Sequence, residues 1–216
     1  MVDLPIFKKL KKKIHKEIAL LQDLLVQEVF NVFKTATLHG GTAIWRCYQG
    51  NRFSEDVDFY ISKKEKNKIN IFLKKLESAD FKILKKKFTP NAFYSKLRKN
   101  GIEIRFEILF KEVKNYITKE YETIEGLKFT VNTLSADDLI QEKVFAYLKR
   151  RLIRDIYDIY FLLNYATKDK VKNILSKLLK NFKEPIDENS LKFLIITGVA
   201  PKLEDILNKI KKYARE

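Results

Sequence analysis

The chain has 216 residues, enough for one large domain or two smaller ones, and a hydrophobic fraction of 45%, ordinary for a folded protein. Lys and Arg number 44 against 28 Asp and Glu, a net charge of +16 that favours polyanions or is carried as a lysine-rich solvated face. The single cysteine, Cys47, excludes an intramolecular disulfide or thiolate metal centre, and His15 and His39 are too few for a histidine-rich one. No run approaches the roughly 18 apolar residues that span a bilayer, and lysines interrupt the N-terminal region, so a cytoplasmic protein with no membrane partner is expected.

In chain order, residues 3–33 read as one helix or two, with Asp3 as a cap and Pro5 in the first turn. Leu10, Ile14, Ile18, Leu21, Leu25, Val29 and Val32 recur at helical spacing, and six lysines crowd the first half against the helix dipole. A short segment, Thr35–Leu38, leads into Gly40, Gly41 and Thr42. Ala43–Tyr48 reads as a short helix ended by Gly50, followed by a loop over Asn51–Glu55. Val57–Ile61 reads as a strand and Asn67–Ala79 as an amphipathic helix.

Phe81–Phe88 and Phe93–Lys99 read as strands on either side of Pro90. Asn100-Gly101 then marks a hairpin into Ile102–Phe110, the clearest alternating segment. There Ile102, Ile104, Phe106 and Ile108 face one way, and Glu103, Arg105 and Glu107 the other. Phe129–Val131 is expected as a short edge strand. From Ser135 onward five helical stretches follow, at 135–148, 151–165, 168–182, 189–196 and 201–213. The expected organisation is an α/β (α+β) part over residues 1–133 and a helical part over 134–216 packed against it.

Asp56 and Asp58 stand two apart at the entrance to a strand, which points both carboxylates to one face. With a third carboxylate from a neighbouring strand they make a site for a hard divalent cation such as Mg²⁺. Glu107 is the best third candidate, and Glu103 shares its face. Close carboxylates repel one another unless a cation neutralises them. An Asp-x-Asp pair is ordinarily an exposed loop feature. Here His39-Gly40-Gly41-Thr42 precedes it, with glycines that admit a phosphate and a helix start that offers free N–H groups. The chain contains no GxxxxGK[ST] run, which excludes a P-loop. Farther on, Glu142, Lys143, Arg150, Arg151, Arg154, Asp155 and Asp158 form a charged helical series that suits either phosphate contact or interhelix ion pairs.

Taken together these segments resemble the AbiEii/AbiGii toxin family of the nucleotidyltransferase superfamily. The run from His39 to Phe59, with Gly40, Gly41, Arg52, Ser54, Asp56 and Asp58 in register, resembles its first motif. Ile104–Ile108 resembles the second and selects Glu107 over Glu103. Leu139–Asp158 resembles the later motifs. The resemblance implies a mixed sheet flanked by helices with a helical C-terminal part. It implies that Asp56, Asp58 and Glu107 hold Mg²⁺, and that Gly40, Gly41, Thr42, Arg52 and Ser54 border the nucleoside triphosphate. It further implies that Lys143 contacts phosphates, that Asp155 lies in the active cleft and that Asp158 supports helix packing.

The activity so implied is transfer of a nucleoside monophosphate to an RNA (the tRNA acceptor end among the candidates) or protein hydroxyl. The enzyme would be the toxin of a toxin–antitoxin or phage-defence pair, with a cognate antitoxin as partner. A kinase-like phosphoryl transferase and a non-enzymatic RNA-binding module are the alternatives.

Overall fold

A computed structural model describes residues 5–215; the Asp3 cap lies outside them. Two compact units form, Met1–Gln49 with Phe53–Thr133, and Gly50–Arg52 with Leu134–Glu216.

The first unit begins with two helices, α1 (Ile6–Lys9) and α2 (Lys13–Val32). Lys8 and Lys9 therefore fall in the last turn of α1, where the dipole favours cations, rather than near the start of one long helix. Strand β1 (Thr37–His39) passes directly into α3 (Gly40–Cys47). The helix thus starts three residues earlier than expected, and Gly40, Gly41 and Thr42 form its first turn. Strand β2 (Val57–Ile61) is followed by a 3₁₀ turn and α4 (Ile69–Ser78). Next come β3 (Lys82–Phe88), β4 (Ala92–Lys99), β5 (Ile102–Phe110), β6 (Ile117–Glu122) and β7 (Lys128–Thr133).

The seven strands form one mixed sheet in the order β3-β4-β5-β2-β1-β7-β6. Two expectations change here. The segment around Phe129 is not an edge: β7 lies between β1, to which it is parallel, and β6. The edge belongs to β6, whose sequence Ile-Thr-Lys-Glu-Tyr-Glu carries too little apolar alternation to announce a strand.

Alternation in the strands sends Phe59, Phe93 and Phe106 to the covered face, where they meet Phe30 and Phe33 of α2 and its extension and Phe72 of α4. Each of these rings except the half-buried Phe30 contributes roughly 1.5–3 kcal/mol on burial. Ile14, expected in this core, is exposed, as are Leu20 and Leu24.

Helix α3 is anchored from below by Arg46, which is fully buried. Its guanidinium donates to the carbonyls of Ala19 (3.0 Å) and Glu122 (3.1 Å) and pairs with Asp23 (3.1 Å). It also lies 4.0 Å from the Trp45 ring. Asp23 in turn accepts from the Tyr121 hydroxyl and the Ile124 N–H, both at 2.8 Å. These bonds offset part of the cost of removing both charges from water, though Arg46 Nε has no hydrogen-bond partner and burial still pushes the Asp23 carboxyl up.

The second unit contains α5 (Ala136–Arg150), α6 (Ile153–Leu162), α7 (Lys168–Lys180), α8 (Leu191–Leu194) and α9 (Leu203–Ala214). Ser135 caps α5, its hydroxyl accepting from the Asp138 N–H at 3.1 Å. The segment 189–196 holds only a 3₁₀ turn and the single-turn α8, because Leu191 alone among its apolar residues is buried. Gly50–Arg52 joins this unit through Asn51, whose backbone carbonyl accepts from Ile196 N (3.0 Å) and whose side-chain oxygen accepts from the Thr197 hydroxyl (2.7 Å).

Candidate active site

Strand pairing in the first unit lines up one row of residues across five strands. His39 of β1 pairs with Asp58 of β2, Asp58 with Glu107 of β5, Glu107 with Tyr94 of β4, and Tyr94 with Lys87 of β3. Directly paired residues share a face, so this row lies on the side of the sheet opposite the phenylalanine core. Asp58 and Glu107 are thereby lateral neighbours on adjacent parallel strands. Asp56, just ahead of β2, is met by Arg105, whose Nε donates to its Oδ1 at 2.7 Å. Glu103 is bound by Lys96 and Arg98 and stands apart from the pair.

The sheet runs into the start of α3 at this row. Gly40 has φ +73, and a Cβ there would lie 3.2 Å from Asp58 Cγ and closer still to its Oδ2. Only glycine both adopts that backbone and leaves room for the carboxylate. The first turn of α3, with its outward N–H groups, is consequently set against Asp58. Thr42 is buried and donates its hydroxyl to the Asp56 carbonyl, while Gln22 Nε2 donates to the Ser54 carbonyl at 2.7 Å. These bonds hold the 54–56 segment against α2 and α3. Gly41 and Ser54 are buried beside it.

The carboxylates are in electrostatic tension. Burial pushes the Glu107 carboxyl up, and the negative charges of Asp58 and Asp56 push it further; His39 and the Tyr94 hydroxyl oppose this. Oxygen donors of this kind suit Mg²⁺. Among the described residues no group of three His, Cys, Asp or Glu side chains converges as a metal cage. Mg²⁺ is usually held by one or two protein carboxylates together with substrate phosphates, so the Asp58–Glu107 pair fits the ion without such a cage. A cavity of about 520 Å³ opens beside the pair, lined by Asp56, Asp58, Lys85, Tyr94, Lys96 and Glu107 among others.

The remaining expected site residues lie in the second unit and are tied to one another. Arg52 grips Asp158 with two bonds, Nε to Oδ1 at 2.8 Å and Nη2 to Oδ2 at 2.7 Å. Lys143 Nζ reaches the same Asp158 at 2.7 Å and Asp155 at 3.8 Å. Asp155 is fully buried and held by Arg150 through two bonds of 2.7 Å. Burial alone would raise the Asp158 carboxyl, but the charges of Arg52 and Lys143 outweigh it and hold the group below its ordinary value.

Tyr94, Lys85 and Lys87 were absent from the sequence reading of the site. A signal for Tyr94 existed. The two-residue turn at Asn100-Gly101 pairs Lys99 with Ile102, and counting back from it sets Tyr94 opposite Glu107.

The fold resembles those of several solved structures. MenT4, a nucleotidyltransferase toxin of Mycobacterium tuberculosis, aligns at a TM-score of 0.63 and 16% identity over 93% of this chain and 82% of its own. JHP933 of Helicobacter pylori aligns at 0.59 and 20% identity over 95% of this chain and 91% of its own. The antibiotic-resistance factor ANT(2'')-Ia aligns at 0.50 and 11% identity over 74% of this chain and 92% of its own. No curated protein sequence matches the chain. Residues 20–212 match the family described as "Nucleotidyl transferase AbiEii toxin, Type IV TA system". With nearly its whole length matched, the chain belongs to the AbiEii family of nucleotidyltransferase toxins and is an enzyme of that class.

Proposed function

We propose that this enzyme moves a nucleoside monophosphate from a nucleoside triphosphate to a hydroxyl of RNA, with Mg²⁺ at Asp58, Glu107 and Asp56, as the toxin of a toxin–antitoxin pair. The observation that carries this reading is the row in which Asp58 and Glu107 are paired on adjacent strands, with Gly40 and the start of α3 closing on Asp58. An acidic pair beside a helix N-terminus offers a cation site next to an anion site, the combination a metal-bound triphosphate requires.

Bound there, Mg²⁺ would neutralise phosphate charge and polarise the phosphorus under attack. The chain's own part is to orient the reactants. The glycine-lined start of α3 approaches the phosphates, and the 54–56 segment keeps the carboxylates in place. The acceptor hydroxyl attacks the α-phosphorus, its proton passes to a site carboxylate, and pyrophosphate leaves. Lys143 is proposed as a phosphate contact on the family pattern. The net charge of +16 favours a polyanionic acceptor.

Incubation with total RNA, Mg²⁺ and triphosphates labelled at the α or γ position tests the reading. RNA labelled from the α position, with release of pyrophosphate, is expected. Label entering only from the γ position would instead mean phosphoryl transfer, and labelled protein without labelled RNA would move the acceptor to protein.

A further inference from the structure

Beyond the carboxylate pair the open face of the sheet changes sign. Moving from β2 across β5 and β4 to β3, one row reads Asp58, Glu107, Tyr94, Lys87, and its neighbour follows Arg105, Lys96, Lys85. Four strands at the usual spacing make this a ramp of roughly 14 Å from acidic to basic. The alignment depends on an irregularity in β3. Lys82 and Ile83 pair with Arg98 and Leu97, but the register then shifts by one residue before Lys85. Without that bulge Leu84 and Lys86 would occupy the row. With it, Lys85 and Lys87 do, and both are exposed. Tyr94 stands between the carboxylates and the lysines, 40% exposed, its hydroxyl bonded to Glu107.

Lysines on an edge strand also serve to prevent edge-to-edge pairing. That role needs charge on β3 alone. It explains neither the bulge that turns two lysines toward the site nor an exposed aromatic ring in the same row; the interior cations Lys96 and Arg105 are engaged by Glu103 and Asp56. A stacking ring flanked by cations on an open sheet is instead the arrangement that binds single-stranded nucleic acid, whose unstacked bases rest on the ring while phosphates meet the lysines.

We propose that the face of β5, β4 and β3 is a docking track for single-stranded RNA, with Tyr94 as the stacking platform and Lys85 and Lys87 as phosphate contacts. The strand end would be delivered to Asp58 and Glu107, a destination that rests on the nucleotidyl-transfer reading; the binding itself does not.

The test is binding of a fluorescent single-stranded RNA oligonucleotide to the full chain, without triphosphate and with EDTA, at several salt concentrations. Lys85→Gln/Lys87→Gln is expected to weaken binding and to lower the slope of log affinity against log salt by about 1.4, at roughly 0.7 per lost contact. The charge-matched Lys168→Gln/Lys180→Gln on α7 is expected to keep the slope. Tyr94→Leu should weaken binding about tenfold, within the range for loss of one stacked base, whereas Tyr94→Phe keeps the ring and the affinity.

The track is overturned if the β3 and α7 double variants lose affinity alike, or if Tyr94→Leu binds as tightly as wild type. Equal affinity for a duplex of the same length, or displacement of the RNA by an acidic peptide at lower concentration than by unlabelled RNA, also overturns it. Circular dichroism and melting of each variant confirm that the fold survives. Because no triphosphate is present, these outcomes are independent of whether nucleotidyl transfer is the reaction.

Discussion

Gly40 and Asp58 are in such close approach that no side chain fits between them: a Cβ at position 40 would lie 3.2 Å from Asp58 Cγ and nearer to Oδ2. The backbone of Gly40 is also left-handed, at φ +73. Both constraints act on one residue. Gly40→Ala should therefore cost about 1–2 kcal/mol in backbone strain, and more once Asp58 is displaced. Its transfer activity should fall at least tenfold in a chain that still folds. A melting curve and an α-label transfer assay measure the two effects; wild-type activity in Gly40→Ala would remove Gly40 from the site.

Asp58→Asn and Glu107→Gln should each reduce transfer by about a hundredfold or more, since on the proposed reading the pair would hold the charge that a metal-bound triphosphate needs. In metal-free buffer the same variants should melt higher than wild type, because burial and mutual repulsion disfavour two neighbouring carboxylates. Loss of function with a gain in stability marks strain kept for function. Variants that lose both together would point to a structural role.

Asp158 is shared by Arg52 and Lys143 in a buried cluster. Asp158→Ala would leave two cations without their common anion, at a cost of roughly 3–5 kcal/mol. Lys143→Met should cost less, because the two-bond Arg52–Asp158 pair survives it. Urea unfolding of both variants measures the order. A larger loss in Lys143→Met would contradict this account.

Glu65 supplies a pH dependence with a definite sign. Burial works against its charge, but Lys68, the Thr35 hydroxyl and the backbone N–H groups of Thr35 (2.8 Å) and Lys34 (3.1 Å) outweigh it and pull its pKa from 4.5 to about 2. A depressed carboxylate stabilises the fold fully above its unfolded pKa and loses that contribution as pH falls through the folded value. That contribution should thus be present above pH 4.5 and fade toward pH 2. The difference in unfolding free energy between wild type and Glu65→Gln should shrink over that window; a difference independent of pH would refute the assignment.

Cys47 is buried, and burial raises its pKa to about 12 despite the nearby charges of Lys119 and Arg46. The folded protein should resist thiol alkylation at neutral pH and react once unfolded in urea. Rapid labelling of the native chain would disprove this.

Alternation along Ile102–Phe110, the Asn100-Gly101 turn and the Asp-x-Asp pair are local features, and each was legible in the sequence. Side-chain direction follows from backbone dihedrals with a period of two, so Glu107 could be assigned to the polar face from its own strand alone. The pairing of Asp58 with Glu107 was of another kind. It requires β2 to lie beside β5 with two intervening strands placed to the far side, and no residue within β2 records its neighbour.

The same holds for β7, inserted beside β1, for the β3 bulge, and for Arg52, which meets Asp158 at a sequence separation of 106. Local periodicity and turn chemistry thus determined the carboxylates and the faces they occupy. Strand order and long-range ion pairing, which depend on burying whole apolar faces together, decided which of these groups meet.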